Sequence, residues 1–277
     1  MRTWPLHAAL GLALALAVPP APVAAGDCRR TADGTCLSAP AAGGDALFGV
    51  LGADDRTPVD PVDWPWRAIG RLDFASGSYC TGSLVGPRLV LTAAHCLFAG
   101  PDSDALDPIV EFAIGAPGGS VIHVRATEAL LPPRYDNIRH GLIADDDGYD
   151  YAFIVLEQAV GAFFGTLPVA ALAERDLATD APILTEAGFS IDRPDAVTAH
   201  RGCRVLESFA DGVILTDCDI TVGDSGAPLL ASVDGVLSVV GVISATMVDA
   251  AGWPTTTLAV DSRAFVAAWR EATAGHP

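Results

Sequence analysis

Two short segments of the chain carry the residue types that nucleophilic catalysis needs. In Gly223-Asp224-Ser225-Gly226, glycines on both sides of a serine allow a tight turn that aims two backbone N–H groups at one point. In Leu91-Thr92-Ala93-Ala94-His95-Cys96, a histidine follows an apolar run and stands beside a cysteine. A histidine side chain can take the proton of a serine hydroxyl and return it near neutral pH. Read singly, the first segment is a turn and the second a packed histidine. Read together, they supply the residue types of a nucleophile and a base.

An aspartate that could orient such a histidine lies between the two segments. Asp150 directly precedes the apolar run Tyr151-Ala152-Phe153-Ile154-Val155-Leu156, whereas Asp145, Asp146 and Asp147 stand further from it. We therefore favour Asp150. The acidic run 145–147 is typical of a solvated loop and lacks the spaced ligands of a calcium loop. We expect no metal and no cofactor.

Taken together, the patterns T-A-A-H-C, D-x-A-x-x-x-L and G-D-S-G-x-P resemble those of the chymotrypsin/trypsin-like serine proteases. Esterases of the α/β-hydrolase type instead need G-x-S-x-G and the order Ser, Asp, His, which this chain does not have. The stretch Val50-Leu51-Gly52-Ala53-Asp54-Asp55-Arg56-Thr57 is similar to the start of the bacterial glutamyl-endopeptidase branch.

The resemblance implies a serine endopeptidase that acts on proteins or peptides. It implies His95, Asp150 and Ser225 as the catalytic residues, and the backbone N–H groups of Gly223 and Ser225 as the oxyanion hole. The alternative is a protease-like binding protein that has lost activity. Such proteins usually lack a triad member or a glycine of the nucleophile loop, and this chain lacks neither.

The substrate pocket is less well specified. Asp219 stands six residues before the nucleophile, where a carboxylate at the pocket base selects Arg or Lys in trypsin, while Ser244 and Thr246 fall on the wall strand. Asp219 could equally be structural, beside Cys218. Glutamate-specific relatives place a histidine in the wall strand, and residues 241–246 contain none. Arg or Lys, Glu, and small apolar substrate residues all remain open.

The resemblance also implies activation by proteolysis. A cut between Gly49 and Val50 would release an amine on Val50 that pairs with Asp224, as in trypsin-like zymogens. The alternative is that residues 26–49 are only an exported tail.

The elements that must position these residues are short. Val/Ile/Thr/Phe-rich runs separated by Gly, Pro and Asp predict an all-β protein. The family fold implies two antiparallel six-stranded β-barrels, an N-terminal one over residues 50–160 that carries the His and Asp and a C-terminal one over 161–277 that carries the Ser. The spacing of Phe265, Val266 and Trp269 predicts a closing α-helix with Asp261 or Ser262 as its N-cap.

The start of the chain indicates export. Residues 1–25 have the basic start, short apolar core and small-residue end of a signal peptide, and residues 26–49 have the composition of a pro-segment or linker. We expect a secreted or periplasmic protein without a membrane anchor. Six cysteines allow 15 connectivities, and pairing of sequence neighbours is the simplest hypothesis: Cys28–Cys36, Cys80–Cys96 and Cys203–Cys218.

Composition excludes one class of partner. The formal net charge is -18, and every basic side chain is an arginine. Because phosphate attraction dominates nucleic-acid affinity, we expect no nucleic-acid partner. We also expect a monomer.

Overall fold

A computed structural model of the chain describes residues 48–101, 103–116, 119–137, 148–172 and 183–277, and the course of three short strands at 2–5, 28–30 and 36–38. The rest of the predicted signal peptide and pro-segment, and the acidic run 145–147, lie outside the described residues. So do the side chains of Cys28 and Cys36. Among the described residues no helix has the length and apolar character to cross a membrane.

The N-terminal half is one antiparallel sheet. It is built from β1 (Arg2–Pro5), β5 (Ile69–Phe74), β6 (Tyr79–Gly86), β7 (Leu89–Thr92), β8 (Ile109–Ala116), β9 (Ser120–Val124), β10 (Ala126–Leu131) and β11 (Ala152–Leu156). The strand order is β1-β10-β11-β7-β6-β5-β8-β9. Within the described residues no hydrogen-bonded ladder joins β9 to β10, so this half is a half-barrel.

The C-terminal half is a closed barrel. It comprises β12 (Ile183–Gly188), β13 (Thr198–Ser208), β14 (Val213–Thr216), β15 (Pro228–Val233), β16 (Val236–Val248) and β17 (Pro254–Asp261). The order β12-β15-β16-β17-β14-β13 closes because β13 also pairs with β12. The strand β4 (Arg56–Pro58) adds to β13 from outside, and β2 (Cys28–Arg30) pairs with β3 (Cys36–Ser38) separately.

Two α-helices of the described residues pack beside the strands. The four-residue helix α1 (Gly161–Phe164) lies in the connection between them, and α2 (Ser262–Gly275) ends the chain. Asp261 caps α2, as expected, by accepting a 2.8 Å hydrogen bond from the Arg263 N–H. Phe265 of α2 is fully buried against Phe153, and Trp269 Nε1 donates to the Val85 carbonyl at 2.8 Å. The C-terminal helix thus closes the core of the N-terminal half.

The predicted fold class is confirmed: an all-β protein with a C-terminal helix. The refinement concerns the N-terminal half, whose strands form an open half-barrel rather than a closed one. Val/Ile/Thr/Phe-rich runs predicted many of the strands, but β1 to β4, β15 and nearly all of β10 fell outside these runs. The strands β1 to β4 are only three or four residues long, too short for an alternating pattern to be recognised.

Candidate active site

Strand pairing brings His95 and Asp150 together. His95 begins a 3₁₀ turn (His95–Leu97) just after β7, and Asp150 stands just before β11. These strands pair antiparallel with Ala152 opposite Thr92, so the residues that flank them meet at one edge. The His95 N–H donates to Asp150 Oδ1 at 2.8 Å, and His95 Nδ1 lies 2.7 Å from Asp150 Oδ2. The carboxylate therefore holds both the backbone and the ring of the histidine.

The surroundings favour a basic imidazole. Asp150 is fully buried, whereas 26% of the His95 side chain is exposed. Burial opposes the charged ring, but the Asp150 charge and its hydrogen bond outweigh burial, so the pKa of His95 lies above its ordinary 6.5. The Ser244 hydroxyl donates to Asp150 Oδ2 at 2.5 Å, a further hydrogen bond to this carboxylate.

A disulfide braces the histidine turn. Cys80 on β6 is bonded to Cys96, directly after His95, with Cα atoms 6.3 Å apart. The His95 Nε2 atom lies 3.8 Å from Cys96 Sγ. Although Cys80, His95 and Cys96 are grouped closely enough to hold a metal, both sulfurs are in the disulfide and no thiolate is available.

Ser225 lies in a turn that only glycines can flank. Gly223 and Gly226 have φ of 97° and 82°, in the left-handed region that favours glycine. A Cβ on Gly226 would lie 2.2 Å from Thr92 Oγ1, and one on Gly223 would lie 2.3 Å from the Phe189 carbonyl. The two glycines of the motif are thus required by backbone conformation and by space.

The nucleophile turn rests on the edge that carries the histidine. The Thr81 N–H, next to Cys80, donates to the Ser225 carbonyl at 2.9 Å. A Cβ on Gly226 would also come within 2.9 Å of the Ala93 N. Two elements of the N-terminal half therefore hold Ser225 close to the turn of His95.

Asp224, directly before the nucleophile Ser225, is buried, and its pKa is raised. The Ser190 hydroxyl lies 3.0 and 2.8 Å from its two carboxylate oxygens, and the Thr221 N–H donates at 2.7 Å. Burial raises the pKa of Asp224 to about 6, against the lowering effect of these hydrogen bonds. In the uncut chain, then, Asp224 is held by Ser190 and Thr221.

Asp219 contacts the N-terminal segment. Its Oδ1 accepts from the Leu51 N–H at 2.7 Å and its Oδ2 from the Asp55 N–H at 2.9 Å, and only 1% of the residue is exposed. Its own N–H donates to His200 Nδ1 at 2.8 Å. Asp55, His200 and Asp219 are close enough to hold a metal, but both Asp219 oxygens and His200 Nδ1 already accept backbone N–H groups.

The other two predicted pocket residues have separate roles. Ser244 directs its hydroxyl to Asp150, as described above. Thr246 lies beside the end of the predicted pro-segment, since a Cβ on Gly49 would lie 2.8 Å from Thr246 Oγ1 and 2.5 Å from the Ile220 carbonyl. The chain around Val50 therefore runs between Ile220 and Thr246.

Other contacts fix this N-terminal segment to the barrel. The buried Arg56 pairs with Asp54 at 2.9 Å and with Asp192 at 3.0 Å, and β4 continues the barrel edge at β13. The second disulfide that sequence proximity favoured, Cys203–Cys218, ends directly before Asp219. The segment and the loop ahead of the nucleophile form one braced unit.

Three polar residues escaped sequence reasoning. Thr81 and Ser190 contact the nucleophile loop, and Glu186 on β12 is fully buried. Within the described residues neither carboxylate oxygen of Glu186 has a hydrogen-bond partner, and burial together with the Asp224 charge raises its pKa well above 4.5. The partners of Thr81 and Ser190 lie far away in sequence, and Glu186 is buried only by the folded barrel, so no local pattern marked these residues.

Comparison with known proteins identifies the family. The family model described as Trypsin matches residues 55–266. The chain belongs to the trypsin family.

Two curated proteins place this trypsin-family chain more closely. It is 31% identical to the glutamyl endopeptidase of Bacillus licheniformis over 123 residues, 43% of this chain and 36% of that protein. It is 27% identical to transmembrane protease serine 5 of Homo sapiens over 215 residues, 67% of this chain and 44% of that protein. The chain spans less than half the length of these curated relatives.

A solved structure, titled as Glu endopeptidase in complex with MPD, shares the fold. The TM-score is 0.67 at 23% identity, with 81% of this chain and 99% of that chain covered. These findings confirm the resemblance to trypsin-like serine proteases near the glutamyl-endopeptidase branch.

Proposed function

We propose that this chain is a serine endopeptidase that hydrolyses peptide bonds through Ser225, His95 and Asp150. The observation that supports this proposal is that Asp150 makes two hydrogen bonds with His95, one to the ring Nδ1 at 2.7 Å and one to the backbone N–H at 2.8 Å. Such a hold fixes the ring tautomer, because a proton on Nδ1 bonded to a carboxylate leaves the lone pair on Nε2.

The reaction follows from these roles. Ser225 Oγ attacks the carbonyl carbon of the substrate while His95 Nε2 takes the hydroxyl proton. The C–N bond then breaks as His95 returns the proton to the departing amine, leaving an ester on Ser225. Water attacks that ester by the same route, and the acid product departs. Asp150 keeps its negative charge throughout and stabilises the protonated ring.

The backbone of the nucleophile turn supplies the second contribution. We assign the N–H groups of Gly223 and Ser225 to the oxyanion that forms at each attack. In a serine protease of unrelated fold, removal of one such donor costs roughly 10² to 10³ in kcat. The positive φ at Gly223 supports the assignment, because no other residue type would keep this turn at that place.

Export and activation belong to the same proposal. The predicted signal peptide, the two disulfides and the glutamyl endopeptidase relative support a protein that works outside the cytoplasm. We keep the cut between Gly49 and Val50 as the activating step. In the uncut chain Asp224 is bound to Ser190 and Thr221, so a Val50 amine would have to replace these partners.

For the substrate pocket, the contacts favour a structural role of Asp219. Both of its oxygens accept N–H groups of residues that stay attached after a cut at Gly49, namely Leu51 and Asp55. A carboxylate occupied in this way is poorly placed to receive the charge of an Arg or Lys substrate. We therefore favour a small apolar or an acidic substrate residue, the latter also being what the name of the Bacillus licheniformis relative indicates for that enzyme.

A nucleophile variant with a covalent probe tests the proposal. The processed wild type should be labelled by a fluorophosphonate and should cleave a peptide library, whereas Ser225→Ala should lose labelling and roughly 10⁶-fold in kcat. Ser232→Ala, a serine on β15 outside the site, is the control and should behave as wild type. An unlabelled, inactive and correctly folded wild type would instead indicate a protease-like binding protein.

A further inference from the structure

Thr81 connects the N-terminal half to the nucleophile turn through its side chain. It is fully buried on β6, directly after the disulfide-bonded Cys80. Its hydroxyl donates to the Gly223 carbonyl at 2.9 Å and accepts from the Phe189 N–H at 2.9 Å. One hydroxyl thus bridges the nucleophile turn and the end of β12, two segments more than thirty residues apart in the chain.

The backbone of Thr81 strengthens the same connection. Its N–H donates to the Ser225 carbonyl at 2.9 Å, and its carbonyl accepts from Thr92 Oγ1 at 2.8 Å. A Cβ on Gly226 would lie 2.3 Å from the Thr81 carbonyl, so the turn is packed directly on this residue. The backbone position of Thr81 is therefore fixed by these contacts, and with it the place from which its hydroxyl reaches Gly223 and Phe189.

The bond to the Gly223 carbonyl matters because glycine restricts its own backbone little. With φ at 97°, Gly223 is in a region where its peptide planes can turn at low cost. Its carbonyl belongs to the peptide plane that leads to Asp224, while its N–H belongs to the plane before it. Holding the carbonyl restrains one of these planes and so limits how far the turn, and the N–H within it, can reorient.

We infer that Thr81 is a positioning residue that holds the backbone of the oxyanion-binding turn through the Gly223 carbonyl. The inference rests on the proposed endopeptidase function. Thr81 itself touches neither substrate nor reacting atoms; it acts through Gly223. A misdirected N–H weakens a contact made mainly to the oxyanion, so its loss lowers kcat while KM changes little.

A pair of substitutions at Thr81 distinguishes a positioning role in catalysis from a role in stability alone. Thr81→Val keeps the shape and removes the hydroxyl, whereas Thr81→Ser keeps the hydroxyl. We expect kcat to fall roughly 10-fold to 100-fold in Thr81→Val with KM within about 2-fold, because part of one oxyanion donor's effect is lost. Thr81→Ser should restore kcat to within about 3-fold. Thr81→Ala serves the same comparison if the valine variant does not fold.

Thr216→Val is the control. Thr216 is also fully buried, and its hydroxyl also links a backbone N–H, that of Cys218, to a backbone carbonyl, that of Thr257. It does not contact the nucleophile turn in these bonds. We expect Thr216→Val to lower the melting temperature and to leave kcat unchanged.

Titration with a fluorophosphonate normalises every rate to the fraction of reactive Ser225. After that correction, an unchanged kcat in Thr81→Val, or an equal loss in Thr216→Val, would overturn the positioning role while the endopeptidase function stands. A wild type that neither labels nor cleaves would overturn the endopeptidase function, and the role of Thr81 with it.

Discussion

The two halves of the site handle buried carboxylates in opposite ways. In the N-terminal half, Asp150 is matched by donors: His95 approaches both oxygens and Ser244 approaches one of them. In the C-terminal half, Asp224 has a pKa of about 6, and Glu186 is buried without a hydrogen-bond partner among the described residues. In the N-terminal half, the charged groups of the site are thus paired with one another. In the C-terminal half, the buried carboxyl groups beneath the nucleophile turn are left without a matching positive group in the described part of the chain.

This difference accords with the proposed activation step. A buried carboxylate that lacks a cation costs free energy, and a positive group that enters the site recovers it. Arg56 is the nearby cation, but Asp54 and Asp192 already bind it. The C-terminal half therefore carries a site that favours a further positive charge, such as the amine of Val50.

The largest effect on kcat should come from a substitution at Asp150 in the N-terminal half. Asp150→Asn keeps the size of the side chain but reverses the preferred tautomer of His95, since the amide nitrogen must donate to the ring. We expect kcat to fall about 10⁴-fold, the loss that the equivalent change causes in a chymotrypsin-like triad. Steady-state kinetics on a cleaved peptide measure it. A loss under 10-fold would mean that the hold of Asp150 on His95 does not matter for the chemistry.

In the uncut chain, the unmatched half should respond in stability. In the uncut chain, Asp224→Asn removes a carboxyl whose folded pKa of about 6 exceeds its ordinary 3.8. Since the folded state binds the proton more tightly, the stability that Asp224 provides is full below pH 3.8 and is lost as the pH rises to about 6. At pH 7 the loss amounts to about 3 kcal/mol, so the asparagine variant should be more stable by up to that amount.

Denaturant unfolding from pH 3.5 to pH 7.5 in a Ser225→Ala background, which prevents self-cleavage, measures this difference. The gain should vanish near the acid end of that range, because both side chains are then neutral. Asn can keep the geometry by accepting from the Thr221 N–H and donating to Ser190, whose hydroxyl then turns to Thr198. A variant less stable than its parent at pH 7 would contradict the view that this carboxylate lacks a matching charge.

The smallest effect on rate should come from Asp219. We expect Asp219→Asn to retain the substrate preference of the parent and to change kcat/KM by under about 10-fold, while weakening the hold on Leu51 and Asp55. Cleavage of a peptide library read by mass spectrometry measures the preference. If the parent cleaves after Arg or Lys and the variant does not, Asp219 is the base of the pocket after all.

Local sequence was enough for much of this site. The glycines of the nucleophile turn, the histidine after β7 and the aspartate before β11 each stand next to a strand or turn whose type the residues themselves predict. The two described disulfides join cysteines that are near neighbours in sequence. The closing helix was equally visible, because its apolar spacing and its cap are both local.

The rest depends on contacts between distant residues. Ser244 reaches Asp150 across 94 positions, and Thr81 reaches Gly223 across 142. Ser244 looked like a pocket residue from its strand alone, and only the neighbouring half of the molecule reveals its bond to Asp150. Glu186 looked like an ordinary strand residue until barrel closure buried it.

Sequence by itself determined the chemistry available to this chain, because residue type and local backbone freedom fix which groups can attack, accept a proton or tolerate a positive φ. Only the tertiary structure decided which carboxylates are matched and which are not. Burial and hydrogen-bond partners arise from strands that lie far apart in the chain, and they show that Asp150 and Asp219 are matched by donors whereas Glu186 has no hydrogen-bond partner among the described residues.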